Sequence, residues 1–276
     1  MPVISPDAFA PPPANDMAVP VAAALREKVR RLERAYSAQR AGQEAVPLGV
    51  PAIDAVLPNG LLTGALHEIE AGPTPSGRVA AHDGAATGFA AHLLGRFGTL
   101  RPNGTLLWCR RPFGASDAPP YAAALAGWFD PARLLMVTVR RDEDLFWAME
   151  EGLRSGMAAV LGETRATDLV AGRRLSLAAE KSGVPALLLR SQPAPAQSVC
   201  TTRWRVASAA THSTPGLNDV GASRWRIELR RNRFGAPSVT ETPTWLLEWN
   251  DETHCLSVVP QAFHGSPRES DARLVG

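Results

Sequence analysis

The sequence has few cysteines, and they form neither a disulfide pattern nor a metal-binding pattern. Cys109, Cys200 and Cys255 lie far apart and are odd in number, and the chain contains no C-x-x-C motif. A disulfide framework needs an even set of cysteines, and a structural zinc site needs closely spaced cysteine and histidine ligands. We therefore expect a cytoplasmic protein from a reducing compartment, with no bound metal and no other cofactor.

Long apolar runs and a strong charge of one sign are also missing. No eighteen consecutive residues are apolar, and the start of the chain has no basic segment followed by an apolar one. Membrane insertion and secretion are therefore not expected. The net charge of +2 is too small to indicate that the whole chain binds nucleic acid. A G-x-S-x-G elbow is absent as well, which argues against a serine hydrolase.

The composition over 276 residues predicts one main domain with flexible ends. Residues 1–17 are rich in proline and lack a period, so they predict a flexible leader, and residues 263–276 predict a flexible tail. Residues 18–45 predict an amphipathic helix with its linker. The main domain is expected to span residues 46–262.

The predicted N-terminal helix carries an apolar stripe between charged residues, at steps of three and four. The stripe consists of Val21, Leu25, Val29, Leu32 and Tyr36. Two interpretations stay open. The stripe packs on its own domain, or it binds a neighbouring subunit or a partner protein.

Short apolar runs alternate with helical patterns from residue 66 to residue 191. The apolar runs are LHEIE, TLLWCRR, RLLMVTVRR, MAAVLGE and VPALLLRS. The helical segments between them are AATGFAAHLLGRFG, PYAAALAGWF, DEDLFWAMEEGLRSG and TDLVAGRRLSLAAEKSG. This alternation predicts an α/β fold whose parallel sheet is covered by helices on both faces.

The remainder of the domain predicts an antiparallel extension of that sheet. TRWRVAS predicts one strand, and RWRIELRRNRFG alternates strictly between apolar and charged residues. TWLLEWN and HCLSVVP predict two more strands joined by a turn.

The extension is rich in arginine and contains two interleaved tryptophans. The candidate surface consists of Arg203, Trp204, Arg205, Arg224, Arg226, Arg230, Arg231 and Arg233, with Trp225 between them. Arginine with aromatic residues is typical of surfaces that bind single-stranded DNA, and equally of protein interfaces. A plain solvated strand face is the third interpretation.

The segment GPTPSGRV resembles a phosphate-binding loop that has lost its chemistry. The full motif needs two glycines, a lysine that reaches the phosphates and a hydroxyl that binds Mg²⁺. Gly72 and Gly77 keep the glycines, but Arg78 replaces the lysine and Val79 replaces the hydroxyl. We expect a degenerate loop that begins a helix, while Arg78 and the helix start could still attract an anion.

The order of these segments resembles the core of the RecA recombinases. The resemblance covers roughly residues 46–260 and is carried by LPNGLLTGALHEIEAGPTPSG, by TDLVAGRRLSLAAEKSGVPALLLRS and by RWRIELRRNRFGAP. It implies a RecA-like core, mostly parallel, with helices on both faces.

The resemblance also places three more positions of the motor chemistry, and each has lost its expected residue. Arg110 and Arg111 stand near the position of the glutamate that activates water. Gly162 stands at the metal-linked aspartate, with Glu163 next to it, and Arg190 begins the pair that senses the γ-phosphate. Since these groups act as a unit, we expect no catalytic residues and no ATP hydrolysis.

Three strings, GALHEIEA, RWRIELRRNRFG and WLLEWN, resemble the ImuA family, whose members are RecA-like relatives of the SOS cell-division inhibitors. The resemblance implies an accessory protein of damage-induced translesion synthesis. Its implied partners are the Y-family-like subunit ImuB and an error-prone C-family polymerase, with RecA and single-stranded DNA as further candidates.

Two other functions stay open from the sequence. One is a DNA-stimulated ATPase in which Arg78 and Glu163 take over the phosphate and metal roles. The other is a cell-division inhibitor.

Overall fold

The computed structural model describes residues 44–57, 60–73, 84–112, 118–165, 168–191, 198–211, 221–234 and 242–259. The predicted leader, N-terminal helix and C-terminal tail lie outside these ranges. The strands are β1 (Ala45–Val46), β2 (Leu61–Leu62), β3 (Leu66–Ala71), β4 (Leu106–Arg110), β5 (Leu134–Thr138), β6 (Ala159–Thr164), β7 (Ala186–Arg190), β8 (Thr202–Ala209), β9 (Arg224–Asn232), β10 (Thr244–Asn250) and β11 (Cys255–Val258). The helices are α1 (Pro51–Asp54), α2 (Gly84–Gly98), α3 (Ala122–Leu125), α4 (Asp142–Arg154) and α5 (Leu169–Ser182).

The main sheet has the strand order β11-β10-β9-β8-β3-β7-β6-β4-β5 within the described residues. Strands β3 to β8 pair in parallel, whereas β9, β10 and β11 pair antiparallel. The predicted α/β fold, with a mostly parallel sheet and an antiparallel C-terminal extension, is confirmed. Strand β8 differs from the prediction in one respect. It is parallel to β3 and antiparallel to β9, so it belongs to both parts of the sheet.

Helices cover both faces of the parallel strands. The apolar side chains of α2 lie in one buried cluster with Trp108, Leu161 and Trp204, whereas those of α4 and α5 lie in a second cluster with Leu107 and Leu188. Neighbouring residues of β4 thus belong to opposite clusters. Two buried faces explain why the parallel strands consist mostly of apolar residues instead of alternating with polar ones.

Local signals fix the ends of α5 but not those of α3. Asp168 caps α5 by accepting hydrogen bonds from the backbone N–H groups of its first turn, and Gly183 ends it with a φ of 73°. The helix predicted over PYAAALAGWF has only four residues, Ala122–Leu125. The chain turns before Gly127, where an added Cβ would lie 2.8 Å from Nδ1 of His254.

Two further findings bear on the sequence predictions. All three cysteines are free, and burial raises the pKa of Cys109 to about 12 and that of Cys200 to about 11. Within the described ranges, no helix has both the length and the apolar character needed to cross a bilayer.

A chain of hydrogen bonds crosses the core beside β3. The indole N–H of Trp204 donates to Oγ1 of Thr202 at 2.9 Å, and this oxygen lies 2.8 Å from Nδ1 of His67. Nε2 of His67 lies 2.9 Å from the carbonyl oxygen of Leu62. In neutral His67, Nε2 therefore carries the proton and donates to Leu62, while Nδ1 accepts from the Thr202 hydroxyl.

Burial keeps two core histidines neutral. Desolvation lowers the pKa of His67 and of His92 to about 4, although each ring also bonds a backbone carbonyl that favours the charged form. The carbonyl beside His92 belongs to Leu48, 3.0 Å from its Nε2. Both rings therefore stay uncharged in the folded protein at neutral pH.

We expect acid to destabilise the fold through these two histidines. Because their folded pKa values lie below the unfolded value of 6.5, only the unfolded chain takes up the protons as the pH falls from about 6.5 to about 4. The unfolding free energy should drop by about 1 kcal/mol per pH unit for each ring. Urea unfolding between pH 7 and pH 5.5 measures this slope, and His92→Gln should make it shallower. An unchanged slope in that variant would contradict the assignment.

Candidate functional site

The predicted degenerate loop begins after the carboxyl end of β3. Ligands of open α/β sheets bind at this edge of the parallel strands. Of the residues predicted for this loop, Gly77, Arg78 and Val79 lie outside the described residues. Gly72 is described, and its N–H donates to the carbonyl oxygen of Val206 at 2.7 Å. An added Cβ at Gly72 would lie 3.0 Å from Cβ of Ala207, so this glycine lets β3 continue its close pairing with β8.

Glu163 is bound by other side chains of the protein at this edge. It is buried, and its Oε1 accepts a 2.6 Å hydrogen bond from the indole N–H of Trp108. Its Oε2 lies 3.8 Å from Nε of Arg110, which ends β4 and is also buried. Glu163 is the acid nearest to the position at which a motor protein binds its metal ion. Here it is already paired with Arg110 inside the protein. No cluster of three or more His, Cys, Asp or Glu side chains in the described residues could hold a metal ion.

Gly162 lies on the opposite face of β6, against α4. An added Cβ there would lie 2.2 Å from the sulfur of Met149 and 3.2 Å from Cδ2 of Leu145. Atoms cannot approach so closely, so the methionine side chain would have to move before any side chain could fit at the position that resembles the metal-linked aspartate.

Arg111 is bound by residues at the start of α4. It pairs with the carboxylate of Asp142, and its Nε donates to the carbonyl oxygen of Arg140 at 3.1 Å. The second oxygen of Asp142 accepts from the Thr164 hydroxyl at 3.0 Å. These contacts connect the ends of β4 and β6 with α4, in the region where a motor protein would hold its water-activating glutamate.

A buried charge network joins β3 to its two neighbouring strands. Glu68 lies in the middle of β3, with its Oε1 3.2 Å from Nη2 of Arg190 on β7. Its Oε2 accepts from Nε of Arg203 on β8 and from the hydroxyl of Ser198, each at 3.0 Å. Because the carboxylate and both guanidinium groups are buried, each charge depends on its partners for stabilisation.

Glu70 extends the network along the same face of β3. It lies 3.4 Å from Nε of Arg203 and 3.5 Å from Nη2 of Arg205. Nη1 of Arg205 lies 3.9 Å from Glu228 on β9. Burial opposes the charge on Arg203, but Glu68 and the other nearby acids outweigh it and raise its pKa. This network was not predicted from the sequence, although alternating carboxylates in a buried strand are a signal that partners are required.

The basic surface predicted from the sequence needs correction. Trp204 is fully buried and Arg203 is nearly so, because Trp204 packs in the core beneath α2 and Arg203 belongs to the charge network. Arg205 points into the same network. Trp225 is buried on the α2 face of β9, opposite to the arginines of that strand, so neither tryptophan can stack on a base beside them.

The outward arginines of β9 form a smaller surface than predicted. Arg224 pairs with Glu248 at 2.7 Å, and Arg230 lies 3.4 Å from Glu228. Arg226 and Arg231 form no ion pair with another residue of the described ranges. Arg233, just after the strand, lies 5.7 Å from the ring centre of Phe234.

The α2 face of the extension contains a cavity of about 600 Å³. Trp128, Trp225 and Trp249 line it, together with the first residues of α2. Gly88 allows the close packing there, since an added Cβ would lie 2.8 Å from Cζ2 of Trp225. Trp225 thus belongs to the wall of a cavity and not to the arginine surface.

Strand order and helix placement define a RecA-like α/β protein. The crystal structure of the RadB recombinase superposes on it with a TM-score of 0.50 and 12% sequence identity. The superposition covers 78% of this chain and 100% of that one.

The chain belongs to the ImuA family. It is 33% identical over 219 residues to Protein ImuA of Caulobacter vibrioides strain NA1000 / CB15N, covering 75% of this chain and 84% of that protein. Protein ImuA of the strain ATCC 19089 / CIP 103742 / CB 15 gives the same values. No protein-family model matches the chain. The family membership and the RecA-like fold inferred from the sequence are both confirmed.

We expect Glu68→Gln to destabilise the fold strongly. It would leave Arg190 and Arg203 buried with too little compensating charge, at a cost of about 3 kcal/mol or more. Glu228→Gln is the matched control, because this partly exposed carboxylate makes longer ion pairs and its loss should cost less than about 1 kcal/mol. Urea unfolding of both variants measures the difference. An equal loss of unfolding free energy in the two variants would show that the network contributes little to stability.

Proposed function

We propose that this chain is a non-catalytic, cytoplasmic accessory protein of damage-induced mutagenic translesion DNA synthesis. Its membership in the ImuA family supports the proposal, together with a RecA-like core in which the described motor positions Arg110, Arg111, Glu163 and Arg190 form internal contacts. In this role the domain binds other proteins and performs no reaction of its own.

The proposal depends most on the contacts that Glu163 makes inside the protein. A glutamate can bind Mg²⁺ or activate water only with a carboxylate that faces the nucleotide. Both oxygens of Glu163 are directed at Trp108 and Arg110 inside the fold. The alternative of an unusual ATPase requires this carboxylate for the metal, so the geometry favours the non-catalytic role.

The proposed partners are the Y-family-like subunit ImuB, an error-prone C-family polymerase and RecA. The outward arginines Arg226, Arg230, Arg231 and Arg233 are suited to acidic surfaces of such proteins. Contact with single-stranded DNA at this surface would depend on phosphate binding by the same residues, because Trp204 and Trp225 are buried.

We expect no ATP turnover by the purified chain, with or without single-stranded DNA. Radiolabelled ATP measures it, with a RecA recombinase as the positive control. Arg78→Ala should leave both the background signal and the damage-induced mutation frequency of cells unchanged. DNA-stimulated turnover that Arg78→Ala abolishes would establish the ATPase and contradict the proposal.

The terminal segments are the proposed contacts with partner proteins. The apolar stripe of the predicted N-terminal helix motivates this for residues 18–42, and the polar composition motivates it for residues 264–276. Deleting residues 1–42 and, separately, residues 264–276 should each weaken co-purification of the ImuB-like subunit after DNA damage. Full recovery of that subunit by both truncated chains would exclude the terminal segments.

A further inference from the structure

The outer face of α4 and α5 exposes large apolar side chains. Trp147 on α4 is 61% exposed, and Val170 and Leu177 on α5 are 70% and 57% exposed. Both helices bury their other face in the same cluster, so all three side chains lie on the solvent-facing side of the two helices. Single exposed apolar residues are common, but several on one surface indicate an interaction site.

A groove of about 600 Å³ lies between the C-terminal halves of the two helices. It is lined by Glu150, Arg154, Arg174, Leu177, Ala178, Lys181 and Ser182. Leu177 and Ala178 supply apolar surface, and three cations surround them. On α5, Val170, Arg174, Leu177 and Lys181 follow one another at steps of three and four, so apolar and cationic side chains alternate along one stripe.

Glu150 fixes two of the three cations. Its side chain is 3% exposed, and its Oε2 accepts from Nη2 of Arg154 at 3.0 Å and from Nη2 of Arg174 at 2.9 Å. Both arginines remain more than half exposed. Each guanidinium group is therefore held in place by the buried carboxylate of Glu150, and Nη1 of Arg154 also pairs with Glu151, which does not line the groove. Because the two arginines are already held in place, less side-chain entropy is lost when a ligand binds.

The charges that line the groove select the kind of ligand. Arg154, Arg174 and Lys181 oppose the single carboxylate of Glu150, so the lining is net positive. We propose that this groove binds an acidic peptide segment of a partner protein. An apolar side chain of that segment packs on Leu177, and its carboxylates pair with the cations at the rim.

This inference rests on the proposed accessory role and adds to it. It assigns the chemistry of one partner contact to a surface that lies far along the chain from both termini. Its test uses purified protein and peptides, without DNA damage or ATP. If acidic peptides did not bind, this groove would have no part in the accessory role. DNA-stimulated ATP turnover would instead contradict the accessory role itself.

Selection of short random peptides displayed on phage, with the full-length chain immobilised, tests the proposal. Enriched peptides should combine several Asp or Glu residues with a Leu, Ile or Phe. Fluorescence anisotropy of the labelled peptides should show affinity that falls as salt is raised. Leu177→Ser and Lys181→Glu should each weaken binding about tenfold. Both side chains are exposed, so both variants should fold, which thermal unfolding checks.

Arg173→Glu is the matched control. Arg173 is exposed and adjacent to Arg174 but does not line the groove, so this equal change of charge should alter the affinity less than about twofold. Three outcomes would overturn the proposal: no enrichment of acidic peptides, unchanged binding by both groove variants, or an equal effect of Arg173→Glu.

Discussion

The burial of two carboxylates in β3 constrains the rest of the sheet. Glu68 and Glu70 must have cationic partners close by, and these come from β7 on one side and from β8 on the other. A different strand neighbour would leave charge uncompensated in the interior. The network therefore specifies which strands flank β3. Through β8 it also fixes where the antiparallel extension attaches to the parallel core.

The pairing of buried charges also describes the edge of the sheet at which a motor protein would hydrolyse ATP. Charged side chains there bind one another: Glu163 with Arg110, and Arg111 with Asp142. An ATPase directs such groups at the nucleotide, where they stabilise the transition state. Here, among the described residues, these charges are paired within the fold. Further exposed charges lie on β9 and on α4 and α5.

The sequence predicted the helices and strands better than the contacts between side chains. The alternation in RWRIELRRNRFG predicted β9 correctly, because a period of two determines which residues share a face. The same alternation already separates Trp225 from Arg226, so the predicted arginine surface, which was based on composition, was wrong to include the tryptophan. The partners of Glu68 were missed for another reason. Arg203 is 135 residues away in the chain, and only the parallel register of β3 and β8 brings the two together.

The packing of Met149 against Gly162 restricts which residues position 162 can accept. An added Cβ there would lie 2.2 Å from the methionine sulfur, so an acidic side chain requires the methionine side chain to move as well. Shortening residue 149 to make room would leave a hole in the core of the kind that typically costs about 2–5 kcal/mol. For a marginally stable domain this is a large cost, so the packing of Met149 on Gly162 disfavours a carboxylate at this position.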